Sequence, residues 1–368
     1  MTAHVPARPA TIPVTAPLPR RATGPRRARV TVLGASGYSG QEFVRLAFGH
    51  PGIELVQLVS RQHAGRPASE MLVGLGPQRT LVVVSPDAAL AAVSSGEVDT
   101  VVACLPHGAW RELAPAFMHP GQAGASQTEP GALRVIDLSS DFRDGTDGYA
   151  YGQPESRRDA LYGALRVANP GCYPTAATLA LLPAIEQGWI AGPVMVSAIS
   201  GVSGAGRSAT MRTSFVERDG GAELYKAGVE HAHAGEMSRL WQQLGGAPLP
   251  VGFAPQIVPM ARGILAVVHA PLTSARTPEE AHATWAARFA GEPFVSVLPP
   301  GHWPDTRAVR GSNRCEVAVT TMHDGTSLLA TAAIDNLVKG AAGQAIQNLN
   351  LMLGWPEATA LPVDGQPW

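Results

Sequence analysis

The chain has three cysteines in 368 residues, Cys104, Cys172 and Cys315, and one stands where a thiol can react. Cys172 follows Pro170-Gly171 and heads the run "TAATLALLPAI" (175–185), whose alanine and leucine content predicts a helix. A helix N-terminus offers partial positive charge and free N–H groups, which favour a nucleophilic thiolate. Cys104 and Cys315 lie inside apolar, strand-like runs and are expected to be packing residues. A thiolate nucleophile needs an acid/base partner and a place for an oxyanion. "VEHAHAGEM" (229–237) gathers His231, His233 and Glu236, imidazoles beside a carboxylate able to orient them. The Gly/Ser-rich stretch "SAISGVSGAGRSAT" (197–210) suits backbone N–H donation, with Arg207 available to an anion. His231-x-His233 and Cys104-x-x-His107 invite a zinc reading, but neither has the further ligands a zinc site requires, and no metal is expected.

A second chemistry sits near the start of the ordered sequence. In "RVTVLGASGYSGQEFVRLAFGHPGIELVQLVS" (29–60) an apolar strand runs into Gly34-x-x-Gly37-x-x-Gly40, then a helix and a second strand. Glycines at such a turn let backbone amides approach a pyrophosphate, so this βαβ unit predicts a dinucleotide site. Sites preferring NAD place an acid after the second strand to bind the ribose hydroxyl; this chain has Ser60 and Arg61 there, which favours NADP(H). Strands at 80–85, 99–108 and 133–143 continue the rhythm and predict a doubly wound parallel sheet. Pro106, His107, Gly108, Ser139, Ser140 and Arg143 fall at the carboxyl ends of those strands, where such sheets bind ligands.

The elements positioning these groups fit two domains, because 368 residues exceed one hydrophobic core. The chain is 45% hydrophobic and 15% charged, with a formal net charge of -1, which gives no reason to expect nucleic acid or an anionic membrane as partner. No stretch is long and apolar enough to span a bilayer. A small-molecule partner is expected, and the wide cysteine spacing suits a reducing cytoplasm. Residues 1–28, rich in proline, alanine and arginine, are expected to be a disordered leader; the prolines argue against the amphipathic helix of a transit peptide. Residues 171–335 read as an α+β domain, with strands in "PVMVSAIS", "GILAVVHAPL" and "CEVAVTTMH". "AAIDNLVKGAAGQAIQNLNLMLG" (332–354) has the composition and periodicity of a closing helix.

The chain resembles the semialdehyde dehydrogenase family, most closely its N-acetyl-gamma-glutamyl-phosphate reductases. The carrying motifs include "VLGASGYSGQEFVRL", "LPHG", "DLSSDFR", "YGQPE", "NPGCYPTAA", "SGVSGAGR", "HAHAGE", "PQIVPMARGILA" and "AAIDNLVKGAAGQAIQNLNLMLGWPE", spread from residue 29 to about 357. The resemblance implies a Rossmann-like NADP-binding domain (29–170, completed by the C-terminal helix, 336–357). It also implies a catalytic and oligomerisation domain (171–335), with a homodimer or homotetramer expected. It further implies reduction of N-acetyl-gamma-glutamyl phosphate to the semialdehyde, with Cys172 as nucleophile and His231 ahead of His233 as acid/base. Glu236 accompanies them. The implied cofactor set is Gly34, Ser36, Gly37, Tyr38, Gly40, Ser60, Arg61, Pro106, His107, Ser203, Gly204 and Asn336; Ser140, Arg143, Arg207 and Arg262 are the substrate candidates. Gln153 stands where leucine is common in the family, and Ala234-Gly235 where Thr-Pro is frequent, which is expected to loosen the turn orienting the histidines. Aspartyl or carrier-linked aminoadipyl phosphate is the alternative substrate. A silent NADP-binding sensor is the reading from another class, and the intact Cys172 and histidine segment speak against it.

Overall fold

The computed structural model describes residues 27–74, 76, 80–118, 132–208 and 210–366. All but the last two residues of the expected leader lie outside these, and Ala28 already belongs to the first strand.

The first half builds a parallel sheet from β1 (Ala28–Leu33), β2 (Ile53–Val59), β3 (Val83–Val84), β4 (Thr100–Ala103), β5 (Arg134–Asp137), β6 (Ala150–Tyr151) and β7 (Arg166–Ala168), in the order β3-β2-β1-β4-β5-β7-β6. Its crossovers carry α1 (Tyr38–Ala47), α2 (Ala68–Met71), α3 (Pro86–Ser94), α4 (Ala109–Phe117) and α5 (Pro154–Leu161). Both faces are covered: Val30, Val32 and Val102 join one apolar cluster, while Leu33, Val101 and Ala103 join another with Trp110. Strands buried on both faces read as continuous apolar runs, which is why "TVVA" of β4 shows no alternation. The strand order reverses between β1 and β4, the place where such sheets open a ligand crevice.

The second half forms a mixed sheet from β8 (Val194–Gly201), β9 (Glu223–Leu224), β10 (Val251–Val258), β11 (Ile264–Pro271), β12 (Val295–Val297), β13 (Cys315–Met322) and β14 (Ser327–Ile334), ordered β12-β13-β14-β11-β8-β10-β9. Its helices are α6 (Cys172–Glu186), α7 (Phe215–Arg218), α8 (Ala232–Gly245), α9 (Pro278–Phe289) and α10 (Thr306–Val309). Along β10 and β11 buried and half-buried residues alternate, so the sheet has one covered face. Helix α6 lies on that face and is buried from Tyr173 to Ile185, as a helix apolar on every side must be.

The closing segment differs from expectation at its start. Ala332–Ile334 extend β14, because pairing with both β11 and β13 overrides their helical composition. A π-helical turn, Val338–Ala342, then leads into α11 (Gly343–Met352), whose Ala345, Ile346 and Leu349 join the core of the first sheet. The chain thus returns to the nucleotide side after building the second sheet.

Candidate active site

At the crevice, Gly34 has φ +75°, and a Cβ there would lie 2.3 Å from the Cys104 carbonyl at the end of β4. A Cβ on Gly40 would come within 2.5 Å of the Gly34 carbonyl. Glycine is required at both positions for loop, helix and neighbouring strand to close together. Gly37 precedes α1 with no side-chain cap, leaving amides of the first turn for a phosphate. Ser36 and Ser60 meet through their hydroxyls at 3.4 Å, and no acid follows β2. Tyr38 and Arg61 are exposed beside them. This cradle fits a dinucleotide, and the residues after β2 suit a 2'-phosphate. Arg207, from the other half of the chain, donates to the Ser36 carbonyl at 2.8 Å and so sits on the cofactor loop. After β4, Pro106 leads to His107, whose Nδ1 accepts the Ser140 N–H at 3.0 Å. Asn336 donates to Ser203 Oγ at 2.9 Å and accepts the Gly263 N–H at 2.8 Å, with Gly204 alongside.

Cys172 is the first residue of α6, half-buried, with its backbone among the donors of the helix start. It is hemmed in by backbone: a Cβ on Gly340 of the π-helical turn would lie 2.8 Å from Cys172 Cβ. A Cβ on Gly171 would lie 2.5 Å from His233 Nε2 and 2.9 Å from Arg143 Nη1, so the residue before the nucleophile is in contact with both side chains. The expectation of a resting thiolate is corrected here. Burial pushes the thiol up to about 11, outweighing Arg143 and the N–H groups of Tyr173 and Cys172 that pull it down.

The histidine pair starts α8. His231 caps the helix, its Nδ1 accepting the His233 N–H at 3.1 Å, which leaves Nε2 as its exchangeable nitrogen. Burial lowers His231 to about 4, helped by Lys226 and His107 against the opposing pull of Glu236. Burial lowers His233 to about 3, and its Nδ1 is buried without a hydrogen-bond partner among the described residues. Glu236 does not orient either imidazole directly, contrary to the sequence-based expectation. One turn further along α8, its carboxylate reaches the loop before the nucleophile instead, accepting from Arg143 Nη1 at 2.9 Å, Tyr151 OH at 2.8 Å and Gly171 N at 2.9 Å. Burial raises its pKa, but Arg143 and these bonds keep it below the ordinary carboxylate value. The helix also runs unbroken through Ala234 and Gly235, so the turn is not loosened there.

Two of the arginines expected at substrate are committed to the protein. Arg143 is buried, and besides Glu236 it donates to the Asn169 carbonyl at 2.8 Å and the Leu138 carbonyl at 3.1 Å. Arg262 joins Asp335 (3.0 Å) and Glu42 (3.1 Å), tying the second sheet to α1. Both were expected to bind substrate because guanidinium suits anions; the anions they found are the protein's own. In the Gly/Ser-rich loop the amides of Gly201, Val202 and Ser203 already donate to the carbonyls of Gly263, Met260 and Ala261. The donors next to the sulfur are those at the start of α6.

Several site residues escaped the sequence reading. Tyr173, beside the nucleophile, meets Tyr225 OH to OH at 3.1 Å and packs edge-on against both imidazoles. Its adjacency to Cys172 was the available signal. Asn169 of the "NPGC" motif donates to the Ala341 carbonyl at 3.1 Å and accepts from Asn348 at 3.0 Å, binding the nucleophile loop to the π-helical turn and α11.

Residues 29–164 match the family model described as "Semialdehyde dehydrogenase, NAD binding domain", and residues 172–336 match "Semialdehyde dehydrogenase, dimerisation domain". The N-acetyl-gamma-glutamyl-phosphate reductase of Geobacter metallireducens is 37% identical, over 90% of this chain and 97% of its own length. Those of Moorella thermoacetica and Halorhodospira halophila are 38% and 39% identical, over 91% and 90% of this chain and 98% and 97% of theirs. Among solved structures, aspartate semialdehyde dehydrogenase II from Vibrio cholerae shares the fold, with TM-score 0.69 and 18% identity over 89% of this chain and 99% of that one. The aspartate semialdehyde dehydrogenase from Candida albicans, solved with NADP, aligns at TM-score 0.67 and 16% identity over 89% and 98% of the two chains. The chain belongs to the semialdehyde dehydrogenase family, in its N-acetyl-gamma-glutamyl-phosphate reductase branch.

Proposed function

We propose that the protein reduces N-acetyl-gamma-glutamyl phosphate to N-acetylglutamate 5-semialdehyde with NADPH, a step of arginine biosynthesis, through a thioester on Cys172. The observation that carries this reading is the placement of Cys172 at the start of a buried helix, with the residue before it in contact with His233 and Arg143. Cys172 sulfur attacks the acyl carbon, its proton passing to the histidine pair, while the N–H groups of Cys172 and Tyr173 lie where negative charge develops. The carbonyl re-forms, the carbon–oxygen bond to phosphate breaks as the proton held by the histidine passes to the departing oxygen, and hydrogen phosphate leaves a thioester. The Gly34–Gly40 cradle would hold NADPH, which when bound would supply the hydride that reduces this thioester. An imidazole reprotonated from solvent gives its proton to the sulfur as the thiohemiacetal oxyanion collapses, the carbon–sulfur bond breaks and the aldehyde is released.

His231 is the acid/base of this scheme, because the helix cap occupies its Nδ1 and leaves Nε2 to exchange a proton. His233, packed on Gly171, steadies the nucleophile loop. Glu236 acts through Arg143 and Gly171 and is a positioning residue. Ser140, held against His107, and Arg207, on the cofactor loop, remain the substrate-side contacts. The enzyme is proposed to be a cytoplasmic homodimer or homotetramer. Support for an oligomer comes from the match of residues 172–336 to the family's dimerisation-domain model. Among the described residues no helix is long and apolar enough to cross a membrane.

The test is phosphate-dependent reduction of NADP+ with N-acetylglutamate semialdehyde, compared with aspartate and aminoadipate semialdehydes. Turnover is expected with the first and lost in Cys172→Ala; retained turnover in that variant excludes the thioester route.

A further inference from the structure

An acyl phosphate brings a phosphoryl group that must be held as it leaves, and two of the arginines that could hold it are already spent. Every guanidinium nitrogen of Arg143 donates to a protein acceptor, and Arg262 lies between two carboxylates. Lys226 differs from both. Strand β9 pairs with β10 as far as Leu224, and Gly228 then exchanges two bonds with Phe253, at 2.7 and 3.0 Å. Between these fixed points Lys226 takes φ +43°, a left-handed conformation that side chains other than Asn and Asp rarely adopt. Strained backbone of this kind collects at ligand sites, where the surrounding ladder holds it in place. The preceding residue, Tyr225, bonds Tyr173 next to Cys172 and packs 5.6 Å from the His231 ring. Among the described residues Lys226 has no ion-pair partner and is exposed.

We propose that Lys226 is the phosphoryl anchor of this site, a cation kept unpaired beside the histidine pair to hold the departing phosphate. The inference rests on the acyl-phosphate reading above. Burial is the main cause that lowers the basicity of His231 and His107; the Lys226 charge adds to it at both, with His107 adding at His231 and Arg143 at His107, while Glu236 opposes at each and Asp141 at His107. A phosphate dianion on Lys226 offsets the lysine's share of that lowering and so raises the basicity of His231, while the larger share, from burial, stays. The lysine therefore couples occupancy by phosphate to readiness of the acid/base.

In the oxidative direction inorganic phosphate is a substrate in its own right, so its KM can be measured separately from that of the semialdehyde. Lys226→Met is expected to raise the KM for phosphate by about 10- to 100-fold, with the semialdehyde KM and the Kd for NADP+ within about twofold, and Lys226→Arg is expected to restore most of the loss. NMR titration of the free Lys226→Met protein should show the His231 pKa moving up. An unchanged phosphate KM refutes the proposal, and so does a rise confined to the semialdehyde KM, which would assign Lys226 to the carboxylate. Wild-type enzyme without phosphate-dependent turnover removes the underlying functional reading as well, whereas normal wild-type turnover with an unaffected Lys226→Met variant removes the anchor alone.

Discussion

Glu236→Gln separates the electrostatics of this site from its shape. The carboxylate holds Arg143, Tyr151 and Gly171 at 2.8 to 2.9 Å, and glutamine preserves its volume and one acceptor oxygen. What it removes is the counter-charge of Arg143, whose side chain is 5% exposed. Breaking a buried pair by deleting one partner costs about 3–5 kcal/mol, and the retained acceptor argues for the lower end. A loss of about 3 kcal/mol corresponds to a fall in Tm of roughly 4 °C for a chain of 368 residues. The pH dependence follows from the direction of the Glu236 shift. Its folded carboxyl titrates below the ordinary 4.5, so its stabilisation is complete above that value and is lost as pH falls through the folded pKa. Stability of the variant should accordingly fall less steeply with acid below pH 4.5. The thiol reports the same change from the other side. Arg143 lowers the Cys172 pKa and Glu236 raises it, so removing the carboxylate charge leaves Arg143 unopposed. A drop of about one unit from the resting value, ~1.4 kcal/mol, is expected in the pH profile of iodoacetamide labelling. A less stable protein with a more acidic thiol is the signature. An unchanged or higher thiol pKa, or an unchanged Tm, refutes the assignment of Glu236 as the partner that holds Arg143.

Iodoacetamide should modify Cys172 ahead of Cys104 and Cys315, whose burial pushes their thiols higher still; mass spectrometry of partially labelled protein reads the order. Gly340→Ala places a Cβ 2.8 Å from Cys172 Cβ, and displacing the nucleophile should lower kcat about 100-fold while leaving the Kd for NADP+ unchanged, as stopped-flow and fluorescence titration can show. Gly34→Ala combines φ +75° with a Cβ 2.3 Å from the Cys104 carbonyl, so NADP+ affinity by calorimetry should fall about tenfold or more.

What could be read from the chain is what local physics decides. Gly34 is needed because of its own φ and its neighbouring strand, and the helix after Cys172 follows from composition, so both stand where expected. The partners of the arginines depend on contacts across the fold: Arg143 finds Glu236 on α8, and Arg262 finds Glu42 on α1. A guanidinium near a turn looks the same in sequence whether its anion is a ligand or a carboxylate far along the chain. The start of α11 was obscured for a related reason, since Ala332–Ile334 have helical composition but two flanking strands to pair with. Lys226 gave no sign because its signal is a backbone angle in a short, irregular connection.

The resting protonation states bear on how the reaction centre works. With the thiol pushed up to about 11 and the imidazoles down to about 4 and 3, the site holds a neutral thiol and two neutral histidines at pH 7. The amides at the start of α6 and the Arg143 charge therefore do not maintain a thiolate at rest. They are fixed in place before any charge appears, and they meet negative charge as the sulfur loses its proton and the acyl oxygen gains electron density. An arrangement of this kind spends its electrostatics on the transition state, and it avoids keeping an unoccupied thiolate open to oxidation or alkylation. Glu236 belongs to the same design. By neutralising Arg143 in part, it adds to the burial that keeps the thiol protonated, which is why its removal should make Cys172 more reactive toward iodoacetamide even as the loop that aims Cys172 loses its anchor.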